Sequence, residues 1–283
     1  MSANFVHLRF HSEYSIQDGI VRLDPILEEV MEQGGVALGI TDSMNLFGAL
    51  RFYSHAIADG IKPIVGCDLW ITNAVHGKRD NPYRLTVYCQ NHEGYLSLCE
   101  LLSRGWMENQ YLGRGEVRLE WLTLENCKGL ICLSGGPQGV IEQHLLEDNK
   151  SEAQAVLEQL REAFPERFYL EVQRAGRKND EAVVAHIAEL AVETGLPMVA
   201  THPVQFLHRE DFNAHEVRCC IAGGYVLADP HRPKLCTEEQ YLKTEEEMRA
   251  LFADIPQAID NTVVIAQRCN LDGVLQKPQL PLF

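Results

Sequence analysis

The 283-residue sequence predicts an α/β fold built from βα units, with a barrel taken over an open sheet. Three observations carry that expectation. Seven short apolar runs alternate with amphipathic stretches over nearly the whole length. Several amphipathic stretches end on a helix-stopping Gly. Polar, chemistry-bearing residues stand where the apolar runs finish, which is where functional side chains gather in a barrel of parallel strands.

Taken in order, FVHLRF (5–10) alternates like a strand and finishes at His11. LDPILEEVMEQG (23–34) repeats apolar residues at three and four spacings and reads as a helix. VALGITD (36–42) is the second strand, ending at Thr41-Asp42, and LFGALRFYSHAIADG (46–60) is the next helix. KPIVGCDLWI (62–71), the third strand, carries Asp68, and RLTVYCQ (84–90) is the fourth. After the helical EGYLSLCELLSRGW (93–106) comes GLICLSG (129–135), the fifth strand. EAQAVLEQLREAF (152–164) is helical, RFYLEVQ (167–173) is a strand carrying Glu171, and DEAVVAHIAELAVETG (180–195) is helical. The seventh strand, LPMVATH (196–202), reaches Thr201-His202.

From about residue 211 the pattern turns helical, in DFNAHEVRCCIAGG (211–224), TEEQYLKTEEEMRALFADI (237–255) and IPQAIDNTVVIAQRCN (255–270). Pro256 suits the first position of the last of these. The ending LQKPQLPLF is rich in Pro and lacks periodicity, so residues 271–283 are expected to be a linker from a longer chain.

Composition narrows the functional classes. With 46% hydrophobic residues the chain can bury the core of one large α/β domain or two smaller ones. A formal net charge of -15 and a pI near 5.2 argue against free-standing nucleic-acid binding, which requires clustered Lys and Arg to neutralise phosphates. The nine cysteines are an odd number, include no Cys-x-x-Cys pair and lie mostly in apolar runs. They read as reduced thiols of a cytoplasmic protein. No basic and apolar leader and no run of membrane-spanning length is present, so neither secretion nor a membrane is expected.

The stretch HLRFHSEYSIQDG (7–19) looks like half of a metal site. His7, Arg9 and His11 fall on one face of a strand, so a cation stands between two imidazoles. Asp18-Gly19 reads as a turn, and Asp42 has the ordinary reading of a cap for the following helix. Asp68 lies inside an apolar strand, where an unpaired carboxylate is costly and a cation is needed. His202 precedes Pro203, which holds its backbone extended.

FVHLRFHSEYSIQDG, GITDSMNLFGALRFY, GIKPIVGCDLWI, QNHEGYLSLCELLSRG, LICLSGG, FPERFYLEVQRAGR and EEEMRALFADIPQAIDNTVVIAQRCN occur in order from residue 5 to about 270. Together they resemble the N-terminal PHP (polymerase and histidinol phosphatase) domain of the bacterial DNA polymerase III alpha subunits. The resemblance implies a distorted seven-stranded (β/α) barrel of the PHP type with additional C-terminal helices, with residues 1–270 as the domain. It also implies that metal-binding members hold divalent ions with His, Asp and Glu at the barrel mouth.

This chain keeps His11, the second His of the family's His-x-His motif, and the turn aspartate Asp18, but has Arg9 in place of the first His. Its Thr-Asp-His motif has become Thr41-Asp42-Ser43, and the third-strand glutamate is Asp68. The His before the fourth strand is Arg84. His202-Pro203-Val204-Gln205 stands where an Asn-Asp-x-His motif belongs. His11, Asp18 and Asp68 are therefore remnant metal positions, expected to be empty. Arg9 and Arg84 are expected to replace the metals electrostatically or to hold a phosphate or sulfate, because Arg cannot ligate.

No catalytic residue and no resident cofactor is expected; Mn, Mg or Zn would bind at most at low occupancy. By resemblance the domain is a scaffold and docking site for the proofreading epsilon subunit of DNA polymerase III. It would brace the remainder of the alpha subunit and meet DNA only through the full polymerase, in which nucleotidyl transfer belongs to palm aspartates outside this chain. The competing expectation is a residual metal-dependent phosphoesterase, acting on pyrophosphate or as a 3'-5' exonuclease, with His11, Asp18, Asp68 and either Asp42 or His202 holding one ion.

Overall fold

The computed structural model describes residues 4–74, 79–234 and 236–275. Its elements are, in order, α1 (Leu23–Glu32), β1 (Ala37–Ile40), α2 (Ala49–Ala58), β2 (Lys62–Ile71), β3 (Tyr83–Cys89) and α3 (His92–Glu108). The short hairpin β4 (Gln110–Tyr111) and β5 (Arg114–Gly115) follows, then β6 (Leu130–Leu133), α4 (Val140–Leu146), α5 (Lys150–Ala163), β7 (Phe168–Val172) and α6 (Asp180–Thr194). The chain continues through β8 (Met198–Ala200), α7 (Phe212–Gly223), α8 (Glu245–Leu251) and α9 (Pro256–Arg268).

Six strands form one curled sheet in the order β1-β2-β3-β6-β7-β8. β1 and β2 are parallel, as are β6, β7 and β8. β3 is antiparallel to both of its neighbours, which corrects the expectation of parallel βα units throughout. The physical reason is the connection: β2 and β3 are joined by residues 72–82 alone, shorter than the crossover that a parallel pair requires. The reversal places the beginning of β3, with Arg84, at the end of the barrel where the parallel strands finish.

The first expected strand is not a regular strand. Residues 5–11 run extended and bridge both edges of the sheet, pairing His7 with Leu38 of β1 and Phe10 with Val204 beyond β8. Gly39 N–H donates to the His7 carbonyl at 2.8 Å, Thr41 N–H to Phe10 at 3.0 Å, and His11 N–H to Val204 at 3.1 Å. A Cβ on Gly39 would lie 2.4 Å from the Leu8 carbonyl oxygen, so glycine is what lets this segment approach β1. The barrel is thus a distorted one of six strands, with the gap between its edges spanned by this segment.

Two further differences concern helices. Of the residues 237–255 read as helical, only Glu245–Leu251 is a helix. Thr244 and Glu247 form a reciprocal capping box that starts it there. The preceding stretch is extended instead, because its backbone pairs with the segment after β8, through Phe206 with Tyr241 and Gln205 N–H with the Gln240 carbonyl at 2.9 Å. α4 follows a glycine-rich turn at 135–139 that gave no helical signal. Pro256 does stand at the start of α9.

The largest apolar cluster joins β2, β3, β6 and β7 to α3, α5 and α6. All nine cysteines are free thiols, six of them buried. Among the described residues no helix is long and apolar enough to cross a membrane. Of the stretch expected to be a linker, residues 276–283 lie outside the described residues, and Leu271 is buried with its carbonyl accepting from Tyr53 Oη at 2.9 Å.

α3 docks on the end of β6 by backbone contact. A Cβ on Gly94 would lie 1.9 Å from the Gly129 carbonyl oxygen. Gly94→Ala, which raises helix propensity, is therefore expected to lower stability by about 1–3 kcal/mol, read from the urea midpoint at unchanged slope.

Candidate site at the barrel mouth

The extended segment 5–11, the ends of β2 and β3 and several connecting loops converge on a cleft of about 720 Å³, lined among others by Arg9, His11, Asp18, Asp68, Arg84 and Gln205. Asp68 is its centre. The side chain is fully buried on β2, opposite Thr86 of β3, whose hydroxyl donates to Oδ1 at 2.6 Å. Oδ2 accepts from Arg9 Nη2 and from His11 Nε2, the latter at 3.0 Å, and forms an ion pair with Arg84 Nη1 at 3.5 Å. One carboxylate is thus surrounded by three cationic side chains and a hydroxyl.

Arg9 reaches across the barrel with its other terminal nitrogen, Nη1 donating to Glu171 Oε1 at 2.8 Å. Glu171, fully buried on β7, also accepts from Thr201 Oγ1, from Gln173 Nε2 at 3.0 Å and, through Oε2, from Gly135 N–H at 3.1 Å. Arg84 lies over the Trp70 ring, 3.9 Å from its centroid, and its Nη1 donates to Ser43 Oγ at 3.3 Å. Its Nε is buried without a partner, as is that of Arg9.

His11 links the two aspartates. Nδ1 lies 2.8 Å from Asp18 Oδ2 while Nε2 faces Asp68. Asp18 is held by Ser15 Oγ at 2.7 Å, in a turn that only Gly19 can close because a Cβ there would lie 1.7 Å from the Ser12 carbonyl oxygen. Burial works against charge on His11, but the Asp18 and Asp68 carboxylates outweigh it and raise its pKa to about 9. Burial likewise opposes ionisation of the aspartates. His11 at Asp18, and Arg9 with His11 at Asp68, nevertheless hold both well below the usual carboxylate range. Because His11 then donates from both nitrogens, the Gln205 amide atom that faces Nδ1 at 3.1 Å is its carbonyl oxygen. That orientation also gives Gln205 Oε1 the partner it otherwise lacks.

Three other expected residues stand apart. Asp42 accepts from Ser12 N–H at 2.6 Å and Ser12 Oγ at 2.7 Å, clamping the 12–19 loop, and burial raises its pKa to about 6. His202 Nε2 donates to the Glu239 carbonyl at 2.8 Å, and burial keeps the ring neutral. His7 Nε2 donates to the Lys243 carbonyl at 2.7 Å, and burial lowers its pKa to about 4. Arg9 and His11 therefore enter the cluster, while His7, on the same face of the segment, does not.

Thr86, Gln173 and Arg177 were not anticipated. Thr86 was legible only once β3 was known to run antiparallel, and Gln173 only from its place at the end of β7. Arg177 lies in the loop beyond β7, where its Nη1 donates to Gln173 Oε1 at 2.9 Å, and no pattern in the sequence marks it.

The residues present do not fit a cluster of divalent ions. Both nitrogens of His11 and both oxygens of Asp68 and of Glu171 already have partners. Among the described residues no group of three or more His, Cys, Asp or Glu is disposed to hold a metal. A dication about 4 Å from one guanidinium would meet roughly 8 kcal/mol of repulsion at an effective dielectric near 20.

A profile of the PHP domain matches residues 7–175. The chain belongs to the PHP domain family. It is 44% identical over 284 residues to the DNA polymerase III subunit alpha of Pseudomonas aeruginosa, covering 100% of this chain and 24% of that protein. The subunit alpha of Escherichia coli K12 is 41% identical over 279 residues, 99% of this chain and 24% of its own. The chain thus spans about a quarter of the length of the curated relatives it matches. Among solved structures, an amidohydrolase from Chromobacterium violaceum gives a TM-score of 0.49 over 76% of this chain and 97% of its own, at 12% identity.

Two outcomes follow from this PHP cluster. Arg9→Met or Asp68→Leu alone is expected to cost about 3–5 kcal/mol, because each strands a buried charge. The double variant should cost less than the sum of the two in a denaturant double-mutant cycle. The second outcome concerns pH. With the folded pKa of His11 raised from 6.5 to about 9, its contribution is fully present below pH 6.5 and lost as pH rises through about 9. Imidazole NMR titration should place the His11 midpoint near 9, and the wild-type advantage over His11→Gln should shrink across that window.

Proposed function

We propose that this chain is the PHP portion of a replicative DNA polymerase III alpha subunit and that its barrel mouth is a charge-balanced structural centre without phosphoesterase turnover. The observation that carries the reading is Asp68, whose oxygens are shared among Arg9, His11, Arg84 and Thr86. In this reading Arg9 and Arg84 stand where the ions of metal-binding members would sit, and His11, Asp18 and Asp68 are the remnant ligands. Identity of 44% along the entire chain supports the polymerase assignment. Residues 1–270 are the domain and 271–283 lead toward the polymerase palm.

The domain then acts as a scaffold and as a docking site for the proofreading epsilon subunit, and DNA reaches it only through the complete polymerase. Its acidic balance, net charge -15, suits a protein partner better than a phosphate backbone. The cationic side of the cleft can hold a phosphate or sulfate through Arg84 without hydrolysing it, because the buried carboxylates Asp68 and Glu171 are already engaged by N–H and O–H donors.

Two measurements test this. The purified chain should co-elute with epsilon in size-exclusion chromatography. It should also release no phosphate from pyrophosphate or a 3'-terminated strand above buffer level when Mn is added. Mn-dependent release that Asp68→Ala abolishes would replace the scaffold reading with a residual phosphoesterase.

A further inference from the structure

Of the arginines that line the cleft, Arg9 and Arg84 pair with Asp68 and Arg114 pairs with Glu116 at 2.9 Å. Arg177 lines the same cleft and, among the described residues, forms no ion pair. Its one hydrogen-bond acceptor is neutral, since Nη1 donates to Gln173 Oε1 at 2.9 Å. Gln173 is itself fixed: Nε2 donates to Glu171 Oε1 at 3.0 Å and to Thr201 Oγ1 at 3.1 Å, and a Cβ on Gly136 would lie 2.9 Å from its carboxamide carbon. One end of the guanidinium is thus anchored, while Nε and Nη2 have no partner among the described residues.

The surroundings do not supply the missing negative charge. Asp180 attracts the guanidinium, but its Oδ2 is turned to the backbone N–H groups of Ala175 and Arg177, at 2.7 and 3.0 Å. Burial lowers the pKa of Arg177, and the cations Arg9 and Arg84 press it down further against the pull of Asp180. Two other half-buried arginines are met directly by carboxylates, Arg174 by Glu181 and Asp254 and Arg232 by Glu216. A shielded cation facing a cleft beside two more cations, with part of its donor fork unused, is a place for an anion.

We propose that Arg177, together with Arg84, binds the phosphate group of a ligand in this cleft, with Arg177 as the residue that carries most of the affinity. The inference rests on the reading of the mouth as a centre without turnover and names the side chain that gives it a ligand. Arg84 is already drawn to Asp68 and stacked on Trp70, whereas Arg177 has donors and charge to give. Two guanidinium groups close enough to repel each other favour a dianion over a singly charged carboxylate. The cleft, about 720 Å³, leaves room for a group attached to the phosphate.

Calorimetric titration and thermal unfolding of the 283-residue chain, in chloride buffer free of phosphate, test the site with inorganic phosphate, thymidine 5'-monophosphate and acetate. Phosphate at tenfold above its Kd should raise the thermal midpoint by about 3 °C, and acetate at the same concentration should not. Arg177→Gln should weaken phosphate binding about tenfold or more, the loss of a charge-assisted contact. Its phosphate-free midpoint should be unchanged or higher, because an unpaired cation has been removed. Affinity for the monophosphate about tenfold above that for phosphate assigns the site to a nucleotide's phosphate; equal or weaker affinity assigns it to the free ion. Undiminished phosphate binding by Arg177→Gln overturns the proposal, as do an equal response to acetate and a fall of several degrees in the variant's phosphate-free midpoint. Failure of the underlying reading shows differently, as Mn-dependent hydrolysis of pyrophosphate by the wild-type chain.

Discussion

The structure depends on one buried guanidinium. Arg9 comes from the extended segment that spans the gap in the sheet, Asp68 from β2 and Glu171 from β7, and a single side chain bonds both carboxylates. All three are buried. Two carboxylates in that position, without a cation, would have to take up protons or draw in water. With Arg9 between them both carboxylates are paired, and the segment is held in register although its backbone forms only isolated bridges.

The arrangement explains why the cation is arginine. A guanidinium is planar, always charged and presents donors in a fork, so it can join two carboxylates several ångströms apart while remaining protonated. A metal ion would instead draw its ligands in to roughly 2.0–2.6 Å and need free lone pairs on each. In this barrel those lone pairs are used by N–H and O–H donors. Such buried ion pairs set geometry more than they add stability, because the Coulombic gain is largely offset by desolvation. The mouth is accordingly well specified in shape.

The topology decides which side chains can take part. Because β3 runs against its neighbours, Arg84 near its start reaches Asp68 at the mouth, and Thr86 lies opposite Asp68 in the ladder. Beyond β8 the chain turns to α7, whose inner face carries His215 toward Phe206 and whose outer face is left apolar. Polar groups at the barrel mouth thus lie beside a helix with exposed apolar side chains.

Periodicity in the sequence determined most of the elements, because alternation at two and at three to four residues reports directly which face of a strand or helix is buried. It placed β2 at its observed bounds, Lys62–Ile71, and marked Asp68 as a buried carboxylate in need of a cation. The motif positions likewise marked Arg9, His11, Asp18 and Arg84. Strand direction, the partners of each charge and the divergence of His7 from the cluster were decided only in three dimensions. Those features depend on contacts between residues as far apart as Arg9 and Glu171 or His7 and Lys243. A local pattern records the burial of a side chain but not the identity of the group that meets it, and for charges inside a barrel that identity sets the chemistry.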